Sequence, residues 1–154
     1  MPANSDGVHD FIEHDYHHRD FTISCLYGKP SDTNNHYLEI IDPTGQGISD
    51  FKNKILRMVA HDATHLEADP VRALRAIKWI SRGYKPTDSL VAALKTCSLN
   101  HADANQVQHF YAYASKLLKK DTARFIKLVN EYCPQYVETL THQEHTMPLL
   151  MTYG

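Results

Sequence analysis

Two short stretches carry side chains whose types and spacing can do chemistry. In "EADPVRALRAIKWISRG", Asp69 and Arg72 stand three residues apart, and Arg75, Lys78 and Arg82 follow. Pro70 suits the first position of a helix and Gly83 its stop. On a helix, positions i and i+3 point the same way. A carboxylate that accepts hydrogen bonds therefore stands beside a guanidinium that donates them. In "HHRDFTISCLYG", the pair Arg19 and Asp20 opens an apolar segment running from Phe21 to Tyr27. Plainer roles exist for each. Asp69 is also a good helix N-cap, the row of cations is also a solvated face, and Arg19 with Asp20 is also a local surface ion pair.

Other candidates carry less. His14 and His18 are four apart, near Glu13 and Asp15, and this spacing can present two ligands on one helical face. No second ligand pair has matching spacing, so no metal site is assigned. Phe110, Tyr111 and Tyr113 can stack bases, yet their helical spacing favours core packing. Cys25, Cys97 and Cys133 lie far apart with no CxxC, which reads as reduced core thiols of a cytoplasmic protein. None has a nucleophile's setting, and no catalytic residue is assigned.

These side chains need elements to position them. Helix is expected over about Asp15 to Leu26 and strands over Tyr37–Ile41 and Ile55–Val59. A turn at "DPTGQG", with Asp42 serving it, and a helical turn at "ISDFKNK" lie between the strands. In the Asp69–Arg82 helix, Ala73, Ala76, Ile77 and Ile80 form the dry face. From Thr87 onward the chain reads as helix, with stripes at Leu90, Ala93, Leu94 and Cys97, then at Val107, Phe110, Tyr111, Ala114, Leu117 and Leu118. A third stripe is Phe125, Leu128, Val129 and Tyr132, capped by Asp121 and stopped by Pro134. The expected fold is mostly α with a small β element.

Composition fits an ordinary domain. The 154 residues include 16 Lys and Arg, 18 Asp and Glu and 11 His, for a net charge of −2. That balance argues against disorder and against a basic nucleic-acid arm. No apolar run approaches about 20 residues, the length of a membrane span, and the start has no signal-peptide pattern.

Three pieces in order resemble bacterial poly(A) polymerases and the related CCA-adding tRNA nucleotidyltransferases. "HRDFTISCLY" resembles their RRDFTINALYY segment. "IIDPTGQGISDFKNKILR" resembles their Asp-Pro-x-Gly-Gly-x-x-Asp-Leu turn, short helix and strand, and "EADPVRALRAIKWISRG" resembles their Glu-Asp-Pro-x-Arg-x-x-Arg helix. This sequence departs at His18, Ser24, Ala68 and the inserted Gln46. The resemblance implies a head that holds ATP or CTP, where two carboxylate-bound metal ions drive attack of an RNA 3′-hydroxyl on the α-phosphate. It makes Asp69 and Arg72 base readers, with Arg75 beside them, and sets Arg19 and Asp20 on the sugar and phosphate side. Adenine and cytosine each offer an amino donor beside a ring-nitrogen acceptor, which an acid and an arginine can meet. Guanine and uracil offer a carbonyl beside an N–H, mispairing both at about 1–3 kcal/mol per buried group.

The family's first half, with its Asp-x-Asp pair on a strand, has no counterpart here, and no Asp-x-Asp occurs in the 154 residues. The organisation expected is a loose N-terminus over 1–12, a partial nucleotidyltransferase head over 13–84, a helical neck-like region over 85–140 and a tail over 141–154. The tail is read as frayed or as an apolar anchor. The leading expectation is a truncated or degenerate relative, inactive alone, that binds ATP, CTP or an RNA 3′ end. Mg²⁺ and ATP or CTP enter as cofactors if an active complex forms. Two alternatives stay open: one piece of an active enzyme completed by another chain or segment, and a helical interaction module with a relic site. An isolated two-stranded sheet is marginal in water. Its open face therefore calls for self-association, a partner chain, or cover by the chain's own helices.

Overall fold

The computed structural model describes residues 3–30, 38–60 and 63–141. The expected tail lies outside these residues, apart from Thr141 at the end of the last helix. The chain divides into two compact units, Met1–Ala60 and His61–Gly154. The architecture is mostly helical with a small β element, as expected.

The first unit opens with α1 (Ala3–Asp15), followed by short 3₁₀ turns at Tyr16–His18 and Thr22–Ser24. Helix was expected later, over Asp15 to Leu26, with the first residues loose. The reason for the difference is local. Arg19 and Phe21 are extended, with ψ of 160° and 157°, and the β-forming Phe21–Thr22 pair is used in strand-like bonding. The Thr22 N–H donates to the Arg57 carbonyl at 2.9 Å and the Val59 N–H to the Asp20 carbonyl at 3.2 Å. Phe21 bridges Met58 in antiparallel fashion. The second expected strand is therefore regular only over β3 (Ile55–Leu56), and its remainder grips the Asp20–Thr22 segment.

The first expected strand is present as β2 (Leu38–Ile41). It pairs antiparallel with β1 (Tyr27–Pro30), in the register Tyr27 to Ile41 and Lys29 to Glu39. The sequence did not announce β1, because Gly28 and Pro30 are poor strand formers. The expected turn and helical turn become a reversal at Gly45, φ +73°, and helix α2 (Gly47–Asn53). Lys54 ends α2 in the left-handed region at φ 54°.

The second unit contains α3 (Thr64–Ala68), α4 (Val71–Ser81), a two-residue strand β4 (Lys85–Pro86), α5 (Asp88–Thr96), α6 (Ala104–Lys120), α7 (Thr122–Tyr132) and α8 (Gln135–Thr141). Here the sequence stripes are the core. Ala73, Ala76, Ile77 and Ile80 are buried on α4, joined by Val71 and Leu74, and Leu90, Ala93, Leu94 and Cys97 are buried on and just after α5. On α6 the buried set narrows to Phe110, Ala114 and Leu117, while Tyr111 and Leu118 are half-buried. α4 packs on α6 and α7, and α7 on α8. Asp121 caps α7 by accepting the Arg124 N–H, and the helix ends before Pro134. α8 falls at the end of the helical region expected over 85–140, though no stripe marked it. It inserts Tyr136 against Phe110, ring centroids 5.0 Å apart, and Gln135 donates to the Leu94 and Cys97 carbonyls at 2.6 and 2.7 Å.

Candidate functional site

In the first unit, Arg19 is held from two sides. Its Nε donates to Asp15 Oδ2 at 3.1 Å, and its guanidinium lies 5.7 Å from the centre of the Tyr27 ring. The Tyr27 hydroxyl donates to the same Asp15 oxygen at 2.5 Å. That hydrogen bond, with the one from Arg19, holds the Asp15 carboxyl below its ordinary range, and Asp15 in turn raises the Arg19 guanidinium. The cluster fixes an otherwise long side chain half in solvent. Asp20, next in sequence, is fixed through its backbone carbonyl to Val59.

The same unit contains a buried polar knot. The Thr22 hydroxyl donates to Asp50 Oδ2 at 2.6 Å. Arg57 donates to both oxygens of Asp50, at 3.0 and 3.3 Å, the two-pronged geometry that suits a guanidinium and a carboxylate. Asp50 is 4% exposed, and both of its oxygens have donors. Asp42 acts at the other end of α2. Its carboxylate accepts the Gly47 and Ile48 N–H groups at 3.0 and 3.1 Å, the partners a helix N-terminus otherwise lacks. A side chain at Gly47 would meet the Thr22 carbonyl at 2.6 Å, so only glycine lets α2 approach the Phe21–Ser24 segment this closely.

In the second unit, Asp69 and Arg72 stand at the start of α4. Asp69 is extended, φ −143° and ψ 97°, and its carbonyl accepts the Arg72 N–H at 2.9 Å. Pro70 takes helical angles after it, the arrangement in which the missing proline N–H costs nothing. The Asp69 carboxylate receives Arg75 Nη2 at 3.4 Å. Arg72 Nη1 donates to the His65 carbonyl at 2.8 Å and lies 3.4 Å from His65 Nδ1. Asp69 and Arg75 thus form an ion pair at this helix end while Arg72 turns to His65, and all three side chains are half-exposed. Arg19 and Asp20 belong to the first unit, and Asp69, Arg72 and Arg75 to the second.

Sequence reasoning missed the residues that hold this end in place. His65 reaches Arg72 because the chain breaks at Asp69 and Pro70 and brings α3 back toward α4. Gln106 closes a capping box with Asp103 at the start of α6, and its Nε2 donates to the Ala68 carbonyl at 2.9 Å. The capping box is readable from Asp103 and Gln106; its second duty is not. Among the described residues, no group of three or more His, Cys, Asp or Glu is arranged to hold a metal ion. None of the helices there is long and apolar enough to cross a membrane.

No protein-family profile matches the chain. Curated relatives do. Over 78 residues, half of this chain, it is 38% identical to poly(A) polymerase I of Haemophilus influenzae. Over 77 residues it is 34% identical to poly(A) polymerase I of Escherichia coli and 32% identical to that of Salmonella typhi. The matched segment spans 16% of the Haemophilus protein and 15% of the other two.

Proposed function

From a chain related to the bacterial poly(A) polymerases over half its length, we propose the nucleotide-selecting part of an RNA nucleotidyltransferase head. It binds ATP or CTP, or the 3′ end of an RNA, and does not catalyse transfer alone. The observation that carries this is at the start of α4, where Asp69 pairs with Arg75 and Arg72 is held on the His65 carbonyl. Asp69 accepts from the exocyclic amine of adenine or cytosine, and Arg72 donates to the adjacent ring nitrogen. Arg75 engages one Asp69 oxygen at 3.4 Å, and an ionised carboxylate can accept more than one hydrogen bond. Arg19 and Asp20 serve the sugar and phosphate side.

The described residues do not fit a two-metal centre. Two ions about 3.5–4 Å apart need clustered carboxylates, and the described residues supply no such cluster. Incubation with Mg²⁺, labelled ATP and an RNA primer tests the claim: the chain alone leaves the primer unextended, and extension would refute it.

A second reading has its own observation. Phe11, Ile40, Ile48 and Phe51 of the first unit are 61, 52, 39 and 55% exposed. Apolar side chains this open favour a partner chain, another copy or a catalytic half, seated on the small sheet and α2. Size-exclusion chromatography with light scattering separates the cases, a concentration-independent monomer excluding self-association.

A further inference from the structure

The C-terminal halves of α4 and α6 enclose a cleft of about 400 Å³ lined by Lys78, Tyr113, Lys116, Leu117, Lys119 and Lys120. Leu117 is buried at its floor, Lys78 and Tyr113 are half-buried, and the other lysines are exposed. Lys116, Lys119 and Lys120 fall on one face of α6 by their spacing of three and four. Burial lowers the pKa of Lys78, and so do Arg82 and Lys120: the charged groups acting on it are cations. Arg82, the C-cap of α4, lies 5.4 Å from the centre of the Trp79 ring, and Arg124 of α7 donates to the Ser81 carbonyl at the end of α4. In a protein of net charge −2, this is a strong local concentration of positive charge.

We propose that this cleft binds the phosphate backbone of single-stranded RNA, with Tyr113 and Leu117 receiving the face of one base. Separate ammonium groups along a helix suit anions repeated along a strand, whereas a single carboxylate is better met by a guanidinium fork. An aromatic ring beside a cationic groove is the arrangement that holds single strands without reading their sequence. An acidic peptide offers charge but no flat ring for Tyr113. The inference goes beyond the base-selecting reading and stands on different residues, none of them shared with Asp69, Arg72 or Arg75.

The test is fluorescence anisotropy with a labelled oligoadenylate of roughly 20 nucleotides, long enough to fill such a groove, titrated across salt concentrations. The Lys116→Gln/Lys120→Gln variant should bind about tenfold more weakly at low salt, and its slope of log affinity against log salt should shrink by about 1.4. Tyr113→Ala should weaken binding while leaving the slope unchanged. Because glutamine is a good helix former, the double variant should keep the parent's circular dichroism. ATP titration of the same variant keeps the two readings apart, since its ATP affinity should equal that of the parent. Unchanged RNA affinity and slope in the double variant would overturn the proposal, as would displacement of the RNA by polyglutamate at equal charge concentration.

Discussion

The Thr22 hydroxyl stands 2.6 Å from the buried carboxylate of Asp50 and joins the Arg-Asp-Phe-Thr segment to helix α2. Arg57 completes the knot from the strand side. These residues have an architectural role: they fix the segment that carries Arg19 and Asp20. Thr22→Val should therefore cost about 1–3 kcal/mol, because it leaves a buried carboxylate short of a donor. Asp50→Ala should cost about 1–3 kcal/mol by leaving the buried Thr22 hydroxyl without its acceptor, since Arg57, 37% exposed, stays hydrated. Urea unfolding, followed by circular dichroism, measures both.

Helix α2 depends on a tight approach at one end and strain at the other. Gly47→Ala would force contacts of 2.6 Å to the Thr22 carbonyl and 2.9 Å to Asp42 Oδ1, and should destabilise by about 1–3 kcal/mol. Lys54 ends the same helix in left-handed geometry, where a Cβ is unfavourable. Lys54→Gly should accordingly stabilise by about 0.5–1 kcal/mol. Opposite shifts of the unfolding midpoint in the two variants are the expected result.

Burial pushes the Cys25 thiol up to about 11 from its ordinary 9.0. Between these values the unfolded chain releases a proton that the folded chain retains, so stability falls as pH rises through this window. Below pH 9.0 this group adds no pH dependence. Burial raises Cys133 and Tyr136 as well, which reinforces the alkaline loss. Urea midpoints measured from about pH 8 to about pH 11 should decline, and Cys25→Ala should decline less. The native thiol should also react slowly with aromatic disulfides at neutral pH.

Asp15 tests the Arg19 cluster. The Tyr27 hydroxyl, followed by Arg19, lowers its carboxyl below the ordinary 3.8. A lowered carboxyl supports the fold at neutral pH, and that support fades as pH falls through the folded value. Carboxyl NMR of Tyr27→Phe should show Asp15 titrating closer to 3.8 than in the parent. An unchanged midpoint would remove the hydrogen bond from the account.

What could be read from the sequence was what local chemistry punctuates. Pro70 and Gly83 bracket α4, Asp121 and Pro134 bracket α7, and the apolar stripes of α4 and α5 are the buried faces. The Phe21–Ser24 segment was misread because its strand-like bonding depends on Arg57–Val59, a partner distant in sequence. α1 was hidden by a start rich in small and polar residues. At the start of α4 the helix that carries Arg72 and Arg75 was legible, while the contacts made by His65 and Gln106 were not. Those two act through a chain break and a helix docking that no local pattern encodes. The lysine cleft likewise exists only once α4 and α6 pack together.

The central claim is that the acid and arginines at the start of α4 choose among bases. Isothermal titration calorimetry with ATP, CTP, GTP and UTP, on the intact chain and on Arg72→Ala, measures it directly. ATP and CTP should bind about fivefold or more tighter than GTP and UTP, since a base that covers the site buries one mispaired group at about 1 kcal/mol or more, and Arg72→Ala should erase the preference. Equal affinity for all four, or no heat with any of them at millimolar concentration, would contradict it.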